Sequence, residues 1–288
     1  INQIRNDQLD ILIDLAGITE GNRLTVFKNK CAPLQATWCG WVATTGLNEI
    51  DYIFGDPYVA PFDDQKKFSE KIAQLRKIWI SLSKSTIPAN LDFNSNSKNY
   101  VTFGSSNNIC KINDKVIRAW STILKNTKNS KLILKYHSIF ADKFIKKDIF
   151  KKFIYYGANE NQIFFDGASP RKEYFEKFNN IDIALDPFPY GGGTTSFEAS
   201  FMGVPILTMK NESYIMRYGE SINNNLEMVD WIAKDPDDYI QKGIKFADKG
   251  FLIKLRKEHR KRAQKSILFD TAEYSDDYYK LLSEIIKK

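Results

Sequence analysis

The stretch DPFPYGGGTTSFEASFMGVPILT (residues 186–208) places three consecutive glycines and two threonines between two strand-like runs. It predicts a strand, a glycine-rich turn, a helix over 193–203 and a second strand over 204–209, which is the repeating unit of a parallel α/β sheet. The turn has two interpretations. Free N–H groups at a helix N-terminus, approached closely past glycines, suit a phosphate. A plain tight turn with a threonine N-cap needs no ligand.

The same alternation extends on both sides of this stretch. Hydrophobic patterning and turn residues predict strands alternating with helices, and hence parallel sheets covered on both faces. The predicted strands are 9–17, 34–41, 50–57, 100–105, 131–136, 162–167 and 180–188. The predicted helices are 113–127, 144–157, 169–178, 235–249, 251–268 and 272–287. A Ser/Asn-rich segment from Lys84 to Lys98 predicts the boundary between two domains.

The composition of the 288 residues limits the classes of function. A hydrophobic fraction of 43% predicts a sizeable folded core. The net charge of +7 is spread among interspersed lysines and acids, so we expect no nucleic-acid partner. No apolar run is long enough to span a membrane and no signal peptide is visible, which predicts a cytoplasmic protein.

Three widely spaced cysteines and two distant histidines complete this picture. Cys31, Cys39 and Cys110 form no CxxC pair, which favours a reducing compartment without disulfides. His137 and His259 belong to no His/Cys cluster with zinc spacing. The sequence therefore predicts no metal site.

Two further loops follow predicted strands and thus belong at the same sheet edge as the glycine turn. The loop GSSNNICK ends in Lys111, which could meet phosphate oxygens or be an ordinary exposed lysine. The segment SPRKEY carries Arg171 and Tyr174, a guanidinium and a ring that suit a nucleotide base. The alternative there is a solvated, basic start of a helix.

Two charged motifs have competing interpretations. DPDD (residues 235–238) contains the D-x-D pattern of some metal-binding glycosyltransferases, but its position before a helix favours N-capping. The basic segment KLRKEHRKRAQK (residues 254–265) favours a solvated helix face over a docking site for an acidic partner.

Four blocks together resemble the catalytic region of the O-GlcNAc transferase and SPINDLY-like glycosyltransferases. They cover residues 10–57, 102–134, 162–175 and 182–209, and their order and spacing also fit. The resemblance implies a GT-B fold, in which two Rossmann-like α/β domains hold a nucleotide sugar in the cleft between them. It further implies an inverting reaction that needs no metal.

The resemblance also implies site residues. Lys111 matches the lysine that neutralises the diphosphate leaving group, Thr194 and Thr195 match the threonines that hold it, and Glu198 matches the ribose ligand. The remaining matches are Asn108 near the phosphates, Ser169, Arg171 and Tyr174 at the base, Tyr190, Gly192 and Gly193 along the turn that lines the sugar, and Cys39 and Gly40 on the facing loop.

Several positions depart from the family pattern. Val42 and Ala43 stand where a Pro-Gly pair is frequent, and Ile18 stands where bacterial relatives often have a histidine. Gly193 replaces a histidine of the animal enzymes. These departures concern the sugar and the acceptor more than the diphosphate.

The domain assignment follows from the boundary and the resemblance. Residues 1–85 are assigned to the C-terminal part of an incomplete first, acceptor-side domain, and residues 86–250 to the nucleotide-sugar domain. Residues 251–288 are expected to form helices that pack back across both. An upstream tetratricopeptide domain is expected in the full-length protein.

The leading hypothesis is transfer of GlcNAc from UDP-GlcNAc to protein Ser or Thr hydroxyls, by a bacterial cytoplasmic enzyme. Three alternatives stay open: a protein O-fucosyltransferase that uses GDP-fucose, a catalytically silent nucleotide-binding fragment, and a dinucleotide-dependent oxidoreductase. The last is disfavoured because no GxGxxG follows an early strand.

Overall fold

The structure is a computed structural model that describes residues 1–40, 42–94, 98–127 and 129–287. Trp41, the last residue of the predicted strand 34–41, lies outside the described residues. So do residues 95–97 of the predicted interdomain segment, Lys128, and Lys288 at the end of the predicted C-terminal helices.

The N-terminal part forms a parallel sheet of four strands in the order β1-β2-β3-β4. The strands are β1 (Ile11–Asp14), β2 (Leu34–Thr37), β3 (Tyr52–Gly55) and β4 (Lys71–Gln74). Two short helices accompany them, α1 (Asn2–Asn6) and α2 (Leu24–Phe27). Strand β4 was not predicted, because its four residues KIAQ carry no clear period and owe their conformation to pairing with β3.

The second sheet has six parallel strands in the order β10-β9-β8-β5-β6-β7. They are β5 (Val101–Ser105), β6 (Ser130–Lys135), β7 (Ile163–Asp166), β8 (Ile183–Leu185), β9 (Ile206–Met209) and β10 (Ile232–Ala233). Its helices are α3 (Asp114–Asn126), α4 (Lys143–Tyr155), α5 (Arg171–Lys177), α6 (Thr194–Phe201), α7 (Tyr218–Asn225) and α8 (Pro236–Lys245). The predicted α/β class with parallel sheets is confirmed.

The direction of chain progression reverses at β5. From β5 the chain moves outward through β6 and β7, and then returns to place β8, β9 and β10 on the other side. In open α/β sheets, a ligand crevice forms beyond the carboxyl ends of the strands at such a reversal. The loops after β5 and β8 therefore flank the crevice, as the sequence predicted for the glycine turn and the Lys111 loop.

Side chains at helix starts set several element boundaries. Asn113 accepts a hydrogen bond from the Val116 amide (3.1 Å) and caps α3. Asp235 accepts one from the Asp238 amide (2.8 Å) and caps α8, so the capping interpretation of DPDD is confirmed.

The last two helices pack on different sheets. In α9 (Lys249–Lys265), the buried Arg256 donates to the Phe178 carbonyl oxygen (3.0 Å) beside the second sheet. In α10 (Thr271–Ile286), Asp277 accepts from the Arg76 amide (2.7 Å) and the Tyr278 ring lies 5.7 Å from that of Phe54, against the first sheet. The domain limits drawn from the sequence stay predictions. None of the helices in the described ranges is long and apolar enough to cross a membrane.

Helix α7, which the sequence analysis did not identify, joins the two sheets. Ser221 Oγ donates to Asp56 Oδ2 (2.6 Å), and Asn225 Nδ2 donates to the Lys77 carbonyl oxygen (2.8 Å). The Tyr218 ring stacks on Trp79 with centroids 4.6 Å apart and an interplanar angle of 7°. Offset-stacked and edge-on aromatic pairs add about 0.5–1.5 kcal/mol beyond the area they bury.

Asp56 is the polar centre of this junction. It is fully buried and also accepts hydrogen bonds from the amides of Tyr58, Val59 and Trp79 at 2.7, 2.9 and 2.8 Å. Burial nevertheless dominates and raises the pKa of Asp56 to about 6, with the hydrogen bonds acting in the opposite direction.

This raised pKa predicts a pH-dependent difference between the native chain and Asp56→Asn. Between about pH 4 and pH 6 the folded native chain keeps a proton that the unfolded chain releases, so its free energy of unfolding falls as the pH rises. The variant lacks this term. Its stability relative to the native chain should therefore increase by roughly 2–3 kcal/mol from pH 4 to pH 7.

Denaturant unfolding at the two pH values measures this difference. The control is Asp63→Asn, which removes an exposed carboxyl from the same region. An equal change in both variants would contradict the assignment to Asp56.

Candidate active site

Two adjoining cavities lie at the crevice beyond β5 and β8. The larger, about 640 Å³, lies between the two sheets, and the smaller, about 400 Å³, follows the loops after β6 and β7. Tyr136, Thr194 and Thr195 line both, which makes the two cavities continuous along the start of α6.

Twelve of the thirteen residues that the sequence assigned to the site line one or both cavities. The larger is lined by Cys39, Gly40, Asn108, Lys111, Tyr190, Gly193, Thr194 and Thr195. The smaller is lined by Ser169, Arg171, Tyr174, Thr194, Thr195 and Glu198. The remaining residue, Gly192, is buried within the turn between them. Their roles toward a ligand stay predictions.

The loops after β5 and β8 are tied directly to each other. Lys111 Nζ donates to the Gly191 carbonyl oxygen (2.7 Å), and Asn113 Nδ2 donates to the Phe188 carbonyl oxygen (2.8 Å). From below, the Asp186 carboxylate accepts a hydrogen bond from the Gly192 amide (2.6 Å). Three hydrogen bonds therefore hold the loop that contains the glycine turn, two from the loop after β5 and one to Asp186.

Lys111 is the basic residue among the described residues that line the larger cavity, and it binds the glycine turn directly. Its ammonium lies 3.7 Å from the centroid of the Tyr190 ring, a cation–π contact. Burial lowers the pKa of Lys111, and the nearby charge of Asp186 opposes that effect. A partly desolvated cation of this kind interacts strongly with an incoming anion.

The start of α6 faces the cavities, and the hydroxyls of Thr194 and Thr195 do not cap the helix. Gly193 is the N-cap and makes no side-chain cap, so the interpretation of a threonine N-cap is wrong. Thr194 is exposed, and Thr195 Oγ1 donates to Asn107 Oδ1 at 3.4 Å. The N–H groups of a helix start and two hydroxyls are donors suited to phosphate oxygens.

Glu198 has two protein partners at the smaller cavity. Its buried carboxylate pairs with the Arg171 guanidinium (2.6 Å) and accepts a hydrogen bond from the Tyr174 hydroxyl (2.7 Å). Burial, followed by the charge of Glu198, raises the pKa of Tyr174. Tyr174, which is predicted to stack on a base, thus also orients Glu198, the residue predicted to bind the ribose. Arg171 remains half-exposed at the rim of the cavity.

The other assigned residues contribute smaller features. The Ser169 Oγ is buried and has no hydrogen-bond partner among the residues that the structure describes. Asn108 accepts from the Cys110 amide (3.0 Å) and begins a short turn. Cys39 has a positive φ of 60°, and burial, followed by the charge of Asp14, raises the pKa of its thiol.

Sequence reasoning left several lining residues unassigned. Asn107, the immediate neighbour of the assigned Asn108, lines the larger cavity. Asp186 stood in the decisive stretch but received no role, and it lies behind the cavity wall, bound to the Gly192 amide. Tyr136 ends a predicted strand at the crevice edge, a position that could have indicated it. Trp79 and Tyr218 reach the cavity from segments with no predicted element, and no sequence signal pointed to them.

Within the described ranges, no three His, Cys, Asp or Glu side chains lie close enough together to hold a metal ion.

Glycosyl transferase family 41 is the family whose sequence model matches this chain, over residues 1–87 and 82–278. The chain belongs to glycosyl transferase family 41.

Two plant proteins are among the curated relatives of this family 41 chain. A protein of Eustoma exaltatum subsp. russellianum named "Probable UDP-N-acetylglucosamine--peptide N-acetylglucosaminyltransferase SPINDLY" is 32% identical over 96% of the chain. A protein of Arabidopsis thaliana with the same activity in its name, SEC, is 27% identical over 93% of it. The chain spans 30% and 28% of the lengths of these two proteins.

Solved structures extend the comparison to the fold. An O-GlcNAc transferase mutant of Thermobaculum terrenum superimposes with a TM-score of 0.89 at 27% identity, covering 99% of this chain and 55% of that one. Pneumococcal GtfA, solved with UDP and GlcNAc, gives a TM-score of 0.57 at 13% identity over 100% of this chain and 60% of that one, a likeness of fold alone. These likenesses confirm the predicted GT-B type of fold.

The surroundings of two glycines predict different defects for their alanine variants. A Cβ at Gly192 would lie 2.5–3.1 Å from the side-chain ends of Ser196, Thr195 and Asn107, which can turn away. A Cβ at Gly40 would lie 2.5–2.7 Å from backbone atoms of Leu15 and Ala16, which cannot.

Gly192→Ala should therefore keep near-native stability but weaken, about tenfold, the UDP binding that the sequence predicts, because it displaces phosphate donors. Gly40→Ala should lose about 1–3 kcal/mol of the free energy of unfolding. Calorimetric titration and denaturant unfolding of both variants measure the two effects. Unchanged UDP affinity in a folded Gly192→Ala would contradict the role of the turn.

Proposed function

We propose that the chain carries the donor site of an inverting glycosyltransferase, which transfers GlcNAc from UDP-GlcNAc to Ser or Thr hydroxyls of proteins. The observation that carries the proposal is the convergence of Lys111, the glycine turn and the start of α6 on one cavity. Membership of family 41 supports it, as do the relatives whose names specify UDP-N-acetylglucosamine and peptide.

The donor would extend along the start of α6 through both cavities. The diphosphate would lie against the N–H groups and hydroxyls of Thr194 and Thr195, next to Lys111. The ribose and base would occupy the smaller cavity, where Glu198 offers acceptor oxygens and Ser169 an unpaired buried hydroxyl. The sugar would rest near Tyr190 and the loop of Cys39 and Gly40.

In the reaction, the acceptor hydroxyl oxygen attacks the anomeric carbon from the face opposite the diphosphate. The new C–O bond forms as the bond to the leaving phosphate oxygen breaks, and UDP departs with that electron pair. Lys111 and the helix start stabilise the negative charge that develops there. The hydroxyl proton passes to a base to which we assign no residue.

The metal independence of the reaction belongs to this proposal. Lys111 and the N–H groups of α6 supply positive charge where other transferases use a cation. Turnover unchanged by a chelator is the expected result. The predicted tetratricopeptide domain and cytoplasmic location stay predictions.

Lys111→Ala is expected to lower kcat about 100-fold or more while weakening binding of the intact donor, UDP-GlcNAc, much less. The lysine acts mainly on charge that appears as the leaving group departs, and removing one such donor has cost 100- to 1000-fold elsewhere. Transfer of labelled sugar to peptide measures kcat, and calorimetric titration with UDP-GlcNAc measures donor binding. Lys115→Ala, an exposed lysine on α3, is the control. Equal turnover in both variants would refute the role of Lys111.

Competition between UDP and GDP tests which nucleobase the site accepts and distinguishes the alternative functions. UDP is expected to displace a fluorescent UDP probe at lower concentration than GDP. Preference for GDP would replace the proposed donor with a guanosine-diphosphate sugar such as GDP-fucose. UDP binding without sugar transfer or donor hydrolysis would identify a silent nucleotide-binding module.

A further inference from the structure

Asp186 is a buried carboxylate directly beneath the proposed diphosphate site. It follows β8 and is 2% exposed. One carboxylate oxygen, Oδ1, accepts a hydrogen bond from the Gly192 amide (2.6 Å), and the other, Oδ2, accepts one from the Thr208 hydroxyl (2.7 Å). No contact with a donor was assigned to this residue, so its burial calls for a separate explanation.

The surrounding backbone closes tightly around this carboxylate. A Cβ on Gly191 would lie 2.4 Å from Oδ2, and one on Gly219 of α7 would lie 2.8 Å from it. The glycine turn and α7 therefore approach Asp186 at distances that only glycine permits. The carboxylate is therefore enclosed by the turn, by α7 and by Thr208.

A buried charge is costly unless an opposite charge lies close by. Burial raises the pKa of Asp186 to about 6, and the charge of Lys111 opposes this increase. Reciprocally, the charge of Asp186 opposes the loss of the Lys111 proton that burial favours. At neutral pH the two opposite charges therefore stabilise each other across the turn.

Both groups hold adjacent residues of the same turn. Lys111 Nζ binds the Gly191 carbonyl oxygen, and Asp186 binds the Gly192 amide. The peptide unit that joins Gly191 to Gly192 is thus fixed at its carbonyl oxygen by the cation and at its N–H by the anion. Rotation of this peptide would break both interactions.

We propose that Asp186 is a positioning residue, whose buried carboxylate fixes the Gly191–Gly192 peptide and supplies the negative charge that keeps Lys111 protonated for the leaving group. The purpose of this arrangement rests on the proposed donor site. Its existence does not, because every contact in it joins residues of the chain itself.

Other titratable groups border the cavity that holds Lys111. They are Cys39 on the loop after β2, Cys110 beside Lys111, Tyr136 after β6, Tyr190 on the turn and Tyr218 on α7. Asp186 is the carboxylate whose charge acts on Lys111 within the described part of the chain. A change in the titration of Lys111 that follows loss of the Asp186 charge is therefore diagnostic.

Asp186→Asn separates charge from shape. The amide has the size of the carboxylate, its oxygen can accept from Gly192, and its NH₂ group can donate to the Thr208 hydroxyl oxygen. Thr208→Val is the matched control, because it removes a hydrogen bond to Asp186 and leaves the negative charge in place.

The ligand-free native chain and both variants would be compared by NMR. Titration of ¹³C-methylated lysines, with Lys111 assigned from Lys111→Arg, is expected to show Lys111 losing its proton at roughly one pH unit lower in Asp186→Asn. The shift in Thr208→Val is expected to be less than half as large. The Gly192 amide proton should also move upfield in Asp186→Asn, since a charge-assisted hydrogen bond becomes a neutral one.

Titration of the same samples with UDP at several pH values tests whether the effect of Asp186 on Lys111 changes nucleotide binding. The alkaline loss of UDP affinity is expected to shift to lower pH in Asp186→Asn by the amount that NMR reports. Identical Lys111 titration in the native chain and Asp186→Asn would overturn the positioning role. If the native chain binds no UDP while the NMR shift appears, the proposed function fails and the role of Asp186 in holding Lys111 stands.

Discussion

The direct tie between the loop after β5 and the loop after β8 is the constraint on which the site depends. These loops are far apart in sequence, and they meet because β5 and β8 are parallel neighbours at the reversal of strand order. Lys111 and Asn113 then bind carbonyl oxygens of the opposite loop, at Gly191 and Phe188. This cross-link holds the glycine turn open toward the cavity and presents the start of α6 to it.

Two buried carboxylates give this architecture its electrostatic character. Asp56 lies at the junction of the two sheets, and Asp186 lies beneath the turn. Each is surrounded by N–H and O–H donors, and for each burial outweighs those donors and raises the pKa to about 6. Such groups stabilise poorly in themselves, because desolvation offsets much of their attraction for their partners. Their main effect is to determine which backbone segments pack against each other.

The junction of the sheets also shapes the larger cavity. Trp79, beyond β4, stacks on Tyr218 of α7, and both rings line the cavity. Helix α10 reinforces the same region, since the Tyr274 hydroxyl donates to the Trp79 carbonyl oxygen (3.0 Å). The wall that faces the proposed sugar is therefore assembled from three distant parts of the chain.

The sequence by itself determined the α/β class, the parallel sheets and the sheet edge at which the glycine turn, Lys111, Arg171 and Tyr174 gather, while the other crevice residues followed from the resemblance to a known family. It could do so because glycines, caps and periodic apolar residues act over a few neighbouring positions, and because parallel strands bring their carboxyl ends to one edge. The DPDD cap and the stretch from Asp186 to Thr208 are examples. Only the tertiary structure decided strand β4, helix α7, the burial of Asp186 and the partners of Glu198. Those features arise from pairing and desolvation between segments distant in sequence, and no local pattern of residues encodes them.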